Sequence, residues 1–199
     1  MYNLDTTYLY ELDTENKAYI MGFLLPKRPV NRLKVYLRSS DYYLLDFIKK
    51  ELKYSGPLYS TPSRTNRKPQ TCLSINHKVF TEQLSKFRLD LNFSLLNHFI
   101  RGVFDRYGSI IIKGKYLNVT ITHDEDFLQK FRDIIYHYGW ETKHYYRCDY
   151  NNTVTLMLTT TIQAVEFLRW VYKDGSVCLV RKKAIFDDYL ESVYNKVDN

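Results

Sequence analysis

The residues best placed to do chemistry lie on one short stretch, Arg32-Leu33-Lys34-Val35-Tyr36-Leu37-Arg38. Polar and aliphatic side chains alternate strictly. An extended strand therefore sends Leu33, Val35 and Leu37 to one face and Arg32, Lys34, Tyr36 and Arg38 to the other. A sheet face carrying that row suits the major groove of duplex DNA, where arginine bonds guanine through two hydrogen bonds. Between Leu52 and Thr81 there is no acidic residue, and Arg64, Arg67 and Lys68 sit there on the connection between two strands. Ser74 and Asn76 extend the same outward surface. So do Asn118, Thr120 and Thr122, and then Lys143, Tyr145 and Arg147. The five histidines, His77, His98, His123, His137 and His144, show no ligand spacing. No metal site and no catalytic histidine is assigned.

Composition agrees with an anionic partner. The formal net charge is +7, and residues 1–98 hold 15 Lys/Arg against 9 Asp/Glu, so nearly all of the surplus lies in the first half. A basic surplus of this size fits nucleic acid. The three cysteines are far apart, which argues against zinc and against a disulfide framework. There is no run of 18 apolar residues and no signal-like leader. The expectation is a soluble, intracellular monomer, in cytoplasm, nucleoid or an organelle, with no membrane partner.

These rows need elements to hold them. Asp13 or Thr14 can cap a helix from about Glu15 to Leu25, which Pro26 ends. The basic strand follows. An amphipathic helix from about Asp41 to Tyr54 then turns Tyr43, Leu44, Phe47 and Leu52 inward. Pro57 to Asn76 reads as a hairpin, and a helix near Val79–Phe87 closes the first half at residue 88. From residue 89 the order repeats. A helix to Tyr107 leads to strands Ser109–Lys113 and Leu117–Thr122, helix Asp124–Tyr138, strands Glu141–Cys148 and Thr153–Leu158, and helix Thr161–Tyr172. A last helix, Val180 to Tyr194, has no counterpart in the first half.

The repeat is visible in the residues. Gly22 matches Gly102 at an offset of 80, and Leu33, Val35 and Leu37 match Leu117, Val119 and Ile121 at 84. Tyr43-Leu44 matches Phe127-Leu128 at 84, and Leu73 matches Leu156 at 83. Near-constant offsets across several element types indicate duplication. The jump from 80 to 84 implies that the first copy has shortened its first hairpin. Gly22 and Gly102 each sit inside an apolar helix. Glycine there costs about 1 kcal/mol relative to alanine, so the two helices are expected to pack closely, glycine to glycine.

A tandem αββαββα unit of class α+β, with glycine-bearing helices on a pseudo-two-fold axis, resembles the LAGLIDADG homing endonucleases. The motif helices correspond to Ile20-Met21-Gly22-Phe23-Leu24 and to Phe99-Ile100-Arg101-Gly102-Val103-Phe104-Asp105-Arg106-Tyr107-Gly108. The ending Phe167–Gly175, followed by Leu179-Val180-Arg181-Lys182-Lys183, is similar to that family's as well. The resemblance implies two sheets straddling duplex DNA, with Arg181 and Lys182 near its backbone or, alternatively, capping helices. It also implies an acid at the end of each motif helix, holding a divalent metal. Here those two positions are Lys27 and Tyr107. Neither can ligate Mg²⁺ as a carboxylate does. Asp105 remains as a residual candidate, two residues from Tyr107 and thus turned away from the site.

Three readings follow. The first is a DNA-binding protein that keeps the saddle without cleavage, in a regulator or maturation-type role. The second is an endonuclease or nickase with displaced carboxylates, which alone would need Mg²⁺. The third is a protein-binding module of a mobile element, phage or virus, with RNA as a further possible partner.

Overall fold

The computed structural model describes residues 2–27, 34–61, 69–89, 94–148 and 153–194; the side chains of Lys34, of residues 143–148 and of Tyr194 lie outside that description. Helix α1 (Glu15–Leu24) begins at Thr14, whose hydroxyl accepts from the Lys17 amide at 3.3 Å. Every residue from Ala18 to Leu24 is buried, because α1 runs through the middle of the molecule beside α4 (Leu96–Tyr107). Both interhelical glycines explain the approach. A Cβ built on Gly22 would stand 2.0 Å from the Phe99 carbonyl oxygen, and one on Gly102 would stand 2.1 Å from that of Tyr19. No side chain fits at either position, which is why both are glycine.

Around this axis stand two sheets of matching topology. The first is β1 (Lys34–Ser39), β2 (Leu58–Thr61) and β3 (Gln70–Asn76), antiparallel, in the order β1-β3-β2. The second is β4 (Gly108–Lys113), β5 (Tyr116–His123), β6 (Thr142–Cys148) and β7 (Thr153–Leu158), in the order β4-β5-β7-β6. Strands β1, β2 and β3 thus repeat β5, β6 and β7, and β4 has no partner strand in the first sheet among the described residues. Residues 28–33, where the expected shortened hairpin falls, lie outside them.

Alternation holds where it was read. Val35 and Leu37 are buried, as are Leu117, Val119 and Ile121. Helices α2 (Tyr42–Glu51), α3 (Lys78–Lys86), α5 (Glu125–His137) and α6 (Thr161–Tyr172) complete the two halves, and α7 (Val180–Tyr194) follows. One inward assignment is corrected. Tyr43 is 83% exposed, because Asp41 caps α2 in a phase that turns Leu44, Leu45 and Ile48 to the core. Among the described residues no helix is long and apolar enough to cross a membrane.

Candidate nucleic-acid interface

The outward face of the first sheet is built by pairing. Tyr36 lies opposite Ser74, Arg38 opposite Cys72 and Lys34 opposite Asn76. Arg38 donates to the Tyr36 hydroxyl at 3.2 Å, and that hydroxyl donates to the Cys72 thiol at 3.1 Å. Arg38 is thereby oriented while its guanidinium stays in solvent, and the tyrosine oxygen raises the guanidinium's already high pKa. Arg32, Arg64, Arg67 and Lys68 lie outside the described residues, as does the side chain of Lys34. On the second sheet Asn118, Thr120 and Thr122 alternate with the buried positions of β5. Thr122 and Thr155 bridge neighbouring strands hydroxyl to hydroxyl at 2.8 Å. The register of β6 shifts between Thr142 and His144, and beyond the shift Tyr145 pairs with Leu156 and Arg147 with Val154. Those partners are core positions of β7, whereas His144 and Tyr146 pair with the half-exposed Met157 and Thr155. A simple alternation along β6 misses that shift. The side chains of Lys143, Tyr145 and Arg147 lie outside the described residues.

Where the two central helices end, Lys27 and Tyr107 come together. The Lys27 ammonium sits 4.7 Å from the Tyr107 ring centroid, and the Arg106 guanidinium carbon sits 4.8 Å from the same centroid. Each α4 residue also caps the neighbouring helix. Tyr107 donates its hydroxyl to the Leu25 carbonyl at 2.7 Å, and Arg106 donates to the Phe23 carbonyl at 2.7 Å. These are carbonyls that a helix end leaves without internal partners. Burial, and the Arg106 charge after it, pulls the Lys27 ammonium down from its ordinary value. Beneath Tyr107 lies His123, ring centroids 5.0 Å apart and nearly perpendicular. His123 Nδ1 is 2.5 Å from the Asp124 carboxylate, which also accepts from the Phe127 amide at the start of α5. Asp124 is committed to those two donors, and burial keeps His123 below its ordinary value despite its carboxylate partner. Among the described residues no group of three or more His, Cys, Asp or Glu could hold a metal ion.

Asp105, the residual candidate, faces the opposite way, as its place two residues before Tyr107 implied. Its carboxylate is 3% exposed. It accepts from the Tyr19 hydroxyl at 2.9 Å, the Tyr172 hydroxyl at 3.0 Å and the Leu179 amide at 2.6 Å. It therefore ties α1, α6 and the start of α7 to α4. Burial pushes this carboxyl up, and those three donors oppose the rise.

For Lys182 the place near the DNA backbone gives way to the capping alternative. Its ammonium is enclosed and donates to the carbonyls of Phe104, Asp105 and Gly108 at 2.7, 2.8 and 2.8 Å. It caps α4, and the residue is 6% exposed. Burial is the main reason its pKa falls to about 8, with the Asp105 charge acting in the other direction. Arg181, one residue earlier, is exposed. A further buried cation went unassigned in the sequence. Arg101 donates to the Val171 carbonyl at 3.2 Å and meets His98 Nδ1 at 2.6 Å. A charged residue inside the apolar run Phe99–Phe104 was the available signal.

With this geometry the architecture is defined. It is α+β and LAGLIDADG-like, with the motif helices at the centre and a sheet on each side. No family model matches the sequence, and no curated protein does. Solved structures do match. The N-terminal LAGLIDADG domain of DUF199/WhiA is 15% identical, over 84% of this chain and 89% of that one, with a TM-score of 0.58. Full-length DUF199/WhiA from Thermatoga maritima is 12% identical, over 94% of this chain and 64% of that one, with a TM-score of 0.59. The homing endonuclease I-DmoI, in its complex with DNA and Mn, is 16% identical over 83% of this chain and 98% of that one, with a TM-score of 0.51. Such distant likenesses establish the fold.

Proposed function

We propose that this chain binds duplex DNA across its two outward sheet faces and does not cut it. The observation that carries the reading is the pair of cations stacked on Tyr107 at the paired helix ends. In a metal-dependent nuclease of this architecture that place calls for carboxylate oxygens, which hold a hard divalent cation and offset developing negative charge. Lys27 and Arg106 create the opposite field. They repel Mg²⁺ and attract a phosphate. The residues present do not fit a metal.

Three further points support DNA as partner. The surplus charge is concentrated in the first half. Arg38 is held outward on the sheet by Tyr36. The similar fold of I-DmoI was crystallised on DNA. The two halves, 1–88 and 89–199, act as one reader in this proposal. Because their mutual interface is internal, a single chain presents both faces, and the role is that of a regulator or maturation-type protein. The first half supplies most of the non-specific affinity. The neutral Asn118, Thr120 and Thr122 row contributes through base edges and shape.

The test is incubation of the protein with a supercoiled plasmid that it binds, in Mg²⁺ or Mn²⁺. The expected result is a shifted but intact plasmid. Protein-dependent nicked or linear product would overturn the proposal and support displaced carboxylates. Absence of any DNA binding at low salt would favour a protein partner.

A further inference from the structure

The first sheet ends in an open notch. The β2–β3 ladder runs from Thr61–Gln70 to Leu58–Leu73 and stops there, so Ser74 to Asn76 continue without a β2 neighbour. The Tyr54 hydroxyl donates to the Ser74 carbonyl at 2.7 Å on that edge. A strand's backbone groups alternate in direction, so the Asn76 amide and carbonyl lie on the same edge. Beside it is a cavity of about 480 Å³, lined by Tyr2, Leu4, Tyr54, Pro57, Tyr59, Ser74, Asn76 and His77.

Two features of this lining are chemically specific. Three of its eight residues are tyrosines, and two of these keep their rings exposed, Tyr2 at 56% and Tyr59 at 40%. Among the described residues the lining holds no acidic or permanently cationic side chain, so the site suits a neutral, flat, polar-edged ligand rather than an ion.

The wall is also built rather than loose. The Asn3 amide donates to the Ser55 hydroxyl at 2.7 Å and the Ser55 amide returns a bond to the Asn3 carbonyl at 3.0 Å, which clips the Tyr2 segment beside Tyr54. Tyr2 meets Tyr54 edge to face, with centroids 5.8 Å apart.

We infer that this notch is a binding pocket for a single unstacked nucleobase. Resting on the DNA-binding reading above, the pocket lies at the rim of the face that carries Tyr36 and Ser74. A base leaving the strand held by that face would enter it, stack on Tyr2 or Tyr59, and present its hydrogen-bonding edge to Asn76 on the open strand edge. A paired base has both faces covered and cannot enter. The ligand is therefore either a base extruded from a duplex or one in a single strand.

The experiment compares three probes by fluorescence and by affinity at fixed salt: a perfect duplex, the same duplex with one bulged 2-aminopurine, and a short single strand with a central 2-aminopurine. Base–aromatic stacking predicts that the bulged duplex binds about tenfold tighter than the perfect one, with its emission quenched. Tyr2→Ala combined with Tyr59→Ala abolishes the quenching and brings the ratio of bulged to perfect-duplex affinity to one, while Tyr59→Phe keeps both; the ratio is the readout because Tyr59 also bonds Tyr36 and Ser74 of the DNA-facing row. Tyr2→Ala alone alters an exposed ring and carries little risk to folding. It reduces the quenching and leaves perfect-duplex affinity unchanged. Equal affinity of the wild-type protein for the two duplexes, a preference that survives loss of both rings, or loss of perfect-duplex binding in Tyr2→Ala would overturn the pocket. If the perfect duplex fails to bind but the single strand is quenched in a Tyr59-dependent way, the pocket stands and the duplex reading falls. If nothing binds, both fall.

Discussion

Gly102→Ala is the sharpest perturbation of the axis on which both sheets depend. The new Cβ would lie 2.1 Å from the Tyr19 carbonyl oxygen and 2.7 Å from the Phe23 nitrogen, whereas ordinary contact begins near 3.4 Å. The difference between 3.4 and 2.1 Å means that α1 and α4 must part by more than an ångström. Both obstacles are backbone atoms and cannot rotate aside. Tyr19, Ile20, Phe99, Ile100, Val103 and Phe104 are all fully buried along this seam. A gap of even 0.5–1 Å forfeits roughly a quarter to a half of each dispersion contact. Overpacking costs about 1–3 kcal/mol in its own right, and alanine's better helix propensity returns about 1 kcal/mol. The net expectation is destabilisation by about 2–4 kcal/mol.

Equilibrium unfolding in urea, followed by the fluorescence of Trp140 and Trp170, measures it. Gly114→Ala is the control, since Gly114 has φ +59° and nothing within 4 Å of its added Cβ. That change pays only left-handed backbone strain, about 1–2 kcal/mol. Gly22→Ala is expected to match Gly102→Ala, and the pair together to cost less than their sum, because helices already parted accept the second methyl. A Gly102→Ala protein no less stable than Gly114→Ala would refute the close-approach argument.

Lys182→Met takes the ammonium away from the Phe104, Asp105 and Gly108 carbonyls, of which Phe104 keeps the Gly108 amide. Stability falls by about 3 kcal/mol on the scale of buried unsatisfied groups, while the salt dependence of DNA binding in the folded fraction is unchanged; a shallower salt slope would restore Lys182 to the DNA contact. His98 accepts from Arg101 through Nδ1, and burial with that guanidinium holds its pKa below the ordinary 6.5. The unfolded chain therefore takes up the proton first, so the stability is fully present above about pH 6.5 and is lost as pH falls below it. His98→Gln is expected to flatten that acid limb in thermal unfolding scans, and an unaltered limb would contradict the assignment. Lys27→Glu sets a carboxylate against the remaining Arg106 and so cancels the positive field at the helix ends, and band shifts are expected to show weaker duplex binding with folding retained; unchanged affinity would remove Lys27 from the interface.

Much of the fold was legible because it rests on local rules. Close helix approach admits only glycine, so Gly22 and Gly102 announced their own seam. A one-sided sheet alternates, so β1 and β5 were readable residue by residue. The duplication was visible because Gly22, Leu37 and Leu73 recur at near-constant spacing, and the strand orders β1-β3-β2 and β5-β7-β6 repeat it. What stayed hidden depends on tertiary choices. Lys182 had two roles open, the DNA backbone and a helix cap, and only the carbonyls of Phe104, Asp105 and Gly108 arriving beside it decide for the cap. Tyr43 sits next to Leu44 in sequence, and only the phase set by the Asp41 cap turns it out. The shift in β6 leaves no turn residue to mark it. Lys27 and Tyr107 were recognised as unsuited to a metal, but their stacking on one another, with Arg106 against the same ring, requires two distant helix ends to meet. The tyrosine pocket joins residues 2, 54 and 59 through the Asn3–Ser55 clip, which no pattern within one element reveals.

A metal-independent grip on phosphates shows itself in a salt titration of duplex binding in EDTA. Phosphate neutralisation releases counterions, so the logarithm of affinity falls linearly with the logarithm of salt concentration. Binding is expected at low salt with the chelator present, with a steep linear decline as salt rises and slight weakening on adding Mg²⁺ as the ion competes for phosphate. Binding that appears only when a divalent metal is supplied, or no binding at low salt, would contradict it.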